Sequence, residues 1–81
     1  MIEIGSLVRP CRDHYTSIGQ TSPEVCVLWR ETPHERPSGR DLVAVPWDSL
    51  GIVVGIRGGI VIVNFPVGLL RATRSGLEVA S

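Results

Sequence analysis

Cys11, His14, Cys26 and His34 are the side chains of this 81-residue chain best suited to hold a metal. Cys11 and His14 have a zinc-knuckle spacing, and the other two would complete a four-ligand set. Seven residues separate Cys26 from His34, however, across a strand-like segment and a polar loop, which fixes no distance between donors. A thiol on a strand is more ordinarily a small buried apolar group, so no metal and no other cofactor is expected. Cys11 with His14 could also be a nucleophile and its base, and Asp48 with Ser49 a fragment of a hydrolase site. Neither pair has a third group at a recognisable spacing. GIVVGIRGG resembles a phosphate-cradling loop only on the surface, because such a loop needs a helix behind it to supply amide donors. A strand follows here. A chain of this size is also near the lower limit for a single core, and no enzymatic activity is expected.

Binding chemistry is the next possibility. Arg9, Arg57, Arg71 and Arg74 could form a patch for phosphates or acidic side chains, or simply a solvated rim. All eight basic residues are arginine and none is lysine. That fits either the codon usage of a GC-rich genome or a protein-contacting surface, where the weakly hydrated guanidinium is favoured. Eight Asp and Glu residues balance the charge, so the footprint of a general nucleic-acid binder is absent. Trp29 and Trp47 could pack on each other or anchor a partner. With 43% apolar residues and a mean hydropathy of +0.21, the chain is apolar for its size.

Those side chains are positioned chiefly by one segment, Leu50 to Pro66. It is apolar enough to raise the question of a membrane span, but Arg57 near the middle of LGIVVGIRGGIVIVNFPVGLL would cost about 2.5–3.5 kcal/mol on insertion. Its Val, Ile and Gly content favours strand, turn, strand, and no membrane association is expected. A two-residue Gly58-Gly59 turn fixes the register: Arg57 opposite Ile60, Ile56 opposite Val61, Val54 opposite Val63, Ile52 opposite Phe65. Those last six apolar residues then face the core. The other face carries Val53, Gly55, Arg57, Ile60, Ile62 and Asn64, with Gly55 relieving crowding opposite Ile62. It is too apolar for open water, and Val53, Ile60 and Ile62 together with Trp29 and Trp47 are the expected protein interface.

Around that hairpin, IEIGSLVRP reads as a first strand and CRDHYTSIGQTSPE as a polar loop with turn formers Gly19, Ser22 and Pro23. VCVLW and LVAVPW flank the polar run RETPHERPSGRD as an inserted hairpin, about residues 24–47, with Pro46 at an edge or a strand end. LLRATR and LEV close the sheet. No helical stripe of useful length occurs, so helix is expected for one short turn at most, near Arg74 to Leu77. The start, MIEIGS, has no signal-peptide pattern, so a location in the cytoplasm or a virion is expected, where two cysteines remain thiols.

The order GSLVRP, GIVVGI, tight turn, IVIVNF and a last strand ending LEVA resembles the small β-barrels of the SH3-like, KOW and Tudor type, and is similar to many short phage-encoded proteins. The match covers both ends of the chain. It implies an all-β, SH3-like, partly open antiparallel barrel of five to six strands with an inserted hairpin, one domain over residues 1–81, and a docking role. Tudor-type cages use several aromatics, whereas this chain offers Tyr15, Trp29, Trp47 and Phe65, the last assigned to the core. The expectation is a non-enzymatic structural or accessory subunit of a larger assembly, by resemblance a phage virion protein, that binds a protein partner or itself. The alternative is a KOW-type nucleic-acid-binding module using Arg9, Arg57, Arg71 and Arg74.

Overall fold

The computed structural model describes residues 1–32 and 39–80. His34 and most of the tip of the inserted hairpin lie outside these. The described residues form β1 (Leu7–Pro10), α1 (Arg12–Ser17), β2 (Val25–Arg30), β3 (Leu42–Pro46), β4 (Gly51–Arg57), β5 (Ile60–Phe65), β6 (Gly68–Thr73) and β7 (Leu77–Val79), with 3₁₀ turns at Gly39–Asp41 and Arg74–Gly76. The protein is all-β: the strands make one antiparallel sheet in the order β3-β2-β6-β5-β4-β1-β7. Among the described residues its edges, β3 and β7, do not pair, so the sheet is partly open and does not close. Among the described residues no helix is long and apolar enough to cross a membrane.

The central hairpin turns where its glycines require it. Gly58 has φ +59, a conformation that costs a β-carbon-bearing residue energy. Arg57 faces Ile60 and Ile56 faces Val61, but the register then slips by one residue, because Val53 rather than Val54 faces Val63 and Ile52 faces Asn64. Side chains alternate across a strand, so one extra residue exchanges the faces beyond it. Val53 is therefore core, 1% exposed, while Ile52 and Val54 are exposed at 50% and 47%. Val61, Val63 and Phe65 are buried and Ile56 packs partly against them. The glycine that close packing requires is also not Gly55, whose added β-carbon would meet Ile62 Cγ1 at an ordinary 3.6 Å. It is Gly51, where a β-carbon would lie 2.5 Å from Val63 Cγ1 and 2.8 Å from Phe65 Cδ1.

The inserted hairpin is continuous with the sheet. β2 pairs with β3 along its length, Val25 facing Pro46 and Trp29 facing Leu42. Pro46 ends the edge strand, where its missing N–H costs no ladder bond. On its other side β2 meets β6 only through Trp29 with Arg71 and Arg30 with Leu70, extended by the Glu31 N–H donating to the Leu69 carbonyl at 2.8 Å. Toward the start of β2 the two strands separate.

The segment expected to be a polar loop contains α1, whose His14 and Tyr15 border that separation. α1 has six residues, too few to display an apolar stripe. Asp13 in its first turn complements the helix dipole. Its end is a Schellman motif: Gly19, at φ +103, donates to Thr16 O at 3.2 Å and Gln20 donates to Tyr15 O at 2.9 Å. Tyr15 is the side chain α1 buries. Its ring packs on Trp47 with centroids 6.1 Å apart, and its hydroxyl lies against Gly76 of the 3₁₀ turn that precedes β7. One aromatic thus touches residues next to both unpaired edges of the sheet.

Candidate functional site

Where β2 and β6 part, an open cleft of about 530 Å³ forms between them and α1. Val27 and Trp29 of β2, Ile60 of β5, Ile18 after α1, and Arg57 and Arg71 help to line it. Ile18, Val27, Trp29 and Ile60 remain 62%, 40%, 40% and 38% exposed. The cleft thereby joins residues expected of two different interfaces: Trp29 and Ile60 from the protein-binding set, Arg57 and Arg71 from the phosphate-binding set.

At its β2 wall, Gln20 occupies a position that a neighbouring strand would otherwise hold. Val27 faces Ala44 of β3, yet its main-chain polar groups bond on the opposite side. Its N–H donates to Gln20 Oε1 at 2.7 Å and its carbonyl accepts from Gln20 Nε2 at 3.1 Å. A single carboxamide thus supplies one acceptor and one donor, as a residue on β6 would have done. The Schellman turn at Gly19 brings Gln20 there.

At the other end, Arg57 Nη2 donates to Glu31 Oε1 and Oε2 at 3.0 and 2.9 Å, while Arg71 Nε and Nη2 donate to Oε2 and Oε1 at 3.2 and 3.1 Å. Arg71 Nη2 also reaches the Thr32 carbonyl at 2.8 Å. Arg71 and Glu31 side chains are 18% and 19% exposed, whereas that of Arg57 is 65% exposed. The Arg71 hydrogen bond holds the Glu31 carboxyl below its usual titration range; partial burial opposes this and Arg57 reinforces it. Both arginines extend from the sheet face that carries Ile62. Ile62, directly beside Arg71 and across from side-chain-free Gly55, is 8% exposed.

The remaining expected site residues fall elsewhere. Val53 is in the core, as described, and leaves the face of Ile60 and Ile62. Trp47 is also core, 9% exposed, with Nε1 donating to the Ser22 carbonyl at 2.9 Å and Arg12 stacked 5.6 Å from the ring centre. It lies past Pro46, at the opposite end of the inserted hairpin from Trp29. The four arginines do not form one patch. Arg9 pairs with Glu78 at 2.6 Å on the β1-β7 side, three strands from Arg71, and Arg74 Nη1 donates to the Ile2 carbonyl at 3.0 Å.

Cys11 and Cys26 are free thiols. Burial pushes the Cys26 thiol up to about 11 and the Tyr15 phenol up to about 12, with neighbouring Cys26 and Cys11 adding to the latter. Among the described residues no group of three or more Cys, His, Asp or Glu side chains is arranged to hold a metal. Gln20 and Glu31 both lie in segments whose composition predicts polar loop; Gly19 after a short run with Asp13 near its start is the sequence's sign of a helix end. Set against known protein families, curated proteins and solved structures, the chain matches none of them.

Proposed function

We propose that this chain is a non-enzymatic protein-interaction module, a structural or accessory subunit of a larger assembly. The observation that carries this reading is the outer sheet face. Leu42, Trp29, Ile60, Leu69 and Ile52, on five different strands, keep 45%, 40%, 38%, 44% and 50% of their surface exposed around the Glu31 ion pairs. Isolated apolar residues on a surface are ordinary, but five on one face, with paired charges among them, form the kind of patch that marks a contact surface. The resemblance to SH3-like barrels at the chain ends supports a docking role, and the likeness to short phage-encoded proteins makes a virion the setting we favour. The KOW-type nucleic-acid reading is weakened, because each of its four arginines already meets a carboxylate or a main-chain carbonyl.

Sedimentation of the purified chain from micromolar to millimolar concentration tests the reading, beside the Trp29→Asp, Ile60→Asp double variant. Association that grows with concentration and is lost in the variant is expected. A monomer throughout, joined by binding to single- or double-stranded DNA that weakens steeply with salt, would overturn it in favour of the nucleic-acid module.

A further inference from the structure

The geometry points to the gap between β2 and β6 as a slot for an extended acidic, apolar segment of a partner polypeptide, with Gln20 as the side chain it displaces. This deepens the interaction-module reading and rests on it. The main chain of Val27 already binds an amide in the slot: Gln20 Oε1 accepts its N–H at 2.7 Å and Gln20 Nε2 donates to its carbonyl at 3.1 Å. A peptide residue entering beside β2 would offer the same donor and acceptor, and strand addition draws its affinity from such pairs. Gln20 is a half-buried loop side chain whose hydrogen bonds to Val27 are exposed, so its amide can turn to water when a peptide group replaces it. The slot also has walls for alternate side chains, Trp29 and Val27 on one side and Ile60 on the other, all partly exposed.

Charge decides which segment fits. The formal charges on the cleft lining are both positive, Arg57 and Arg71, and they share one carboxylate, Glu31. The Arg57 guanidinium, 65% exposed as a side chain, is the one within reach of an incoming acidic group. A basic segment would meet repulsion there, and a neutral one would gain nothing.

The probe is a random-octapeptide display library selected against the immobilised full chain. Enriched peptides should alternate apolar residues and carry an acidic one. Titrated into the labelled protein, they should shift the Val27 amide and the Trp29 indole, and move the Gln20 side-chain amide toward its free position. Arg57→Glu should weaken binding about tenfold, in line with loss of a complementary charge. Gln20→Ala should tighten it about threefold, because the slot no longer spends time closed by its own side chain. If that variant does not fold, the Gln20 side-chain signal of the native protein answers the same question. The slot is overturned if nothing is enriched, if the peptides leave Val27 and Gln20 unmoved, or if Gln20→Ala binds no better. Peptides that bind elsewhere on the outer face would sink the slot and leave the interaction module standing.

Discussion

The hydroxyl of Tyr15 lies where a β-carbon on Gly76 would have to stand, so α1 and the 3₁₀ turn before β7 close on each other through a residue that must lack a side chain. Gly76→Ala is expected to destabilise the fold by about 1–3 kcal/mol, the range for overpacking a filled core. Tyr15→Phe in the same chain should recover part of that loss by removing the nearest atom. Urea unfolding of the two single variants and the double variant measures the coupling.

Glu31 ties the end of β2 to both β4 and β6. Its folded-state pKa is depressed by Arg71 and Arg57, so its contribution is present above the ordinary carboxylate range and is lost as pH falls through the lowered value. Glu31→Gln should cost about 1.5–3 kcal/mol at neutral pH, the range for hydrogen bonds to a charged group. Unfolding midpoints of the variant and the native chain should converge as the pH is taken well below 4; a gap that stays constant with pH would count against the ion pairs.

The two glycines of β4 should respond differently to the same change. At Gly51 a new β-carbon would press into Val63 and Phe65 of the core, whereas at Gly55 it would meet Ile62 at van der Waals distance. Gly51→Ala is expected to lose about 1–3 kcal/mol, and Gly55→Ala to stay within about 0.5 kcal/mol of the native chain. Thermal melts of both variants are sufficient to see the contrast.

Cys26 is fully buried, with its thiol raised to about 11, while Cys11 is half-buried. Because the thiolate is the reactive form, iodoacetamide at pH 8 should leave Cys26 unmodified in the folded protein and label it once urea unfolds the chain. Mass spectrometry of the labelled peptides reads the outcome, and modification of native Cys26 would contradict its burial.

The sequence shows the parts of the fold that local chemistry dictates. The Gly58-Gly59 turn, the pairing of Val25–Trp29 with Leu42–Pro46, and the short turn near Arg74 all rest on nearest neighbours or on alternation, and all are present. The slip at Val54 does not show, because Ile52, Val53 and Val54 are equally apolar and either register buries a good residue. α1 is too short to leave a period. Of the site, Trp29, Ile60, Arg57 and Arg71 were legible as residue types fit for contact. Their meeting in one cleft was not, since it depends on β2 leaving β6 after two residue pairs. Gln20 and Glu31 are polar residues whose roles come from what lies across from them, up to 40 positions away.

Val54 is the one residue of β4 between Ile52 and Arg57 to which the β4-β5 ladder assigns no partner. Its effect is on shape: a bulge bends its strand and increases the local twist. Below the bend, Ile52 and Gly51 pair with Leu7 and Val8 of β1, and β1 in turn carries β7. A chain lacking Val54 would keep every β4-β5 partner it now has, yet would run straighter past β1. The extra valine thus places its bend between the hairpin and the β1-β7 end of the sheet, and its removal should flatten that stretch without unpairing the hairpin.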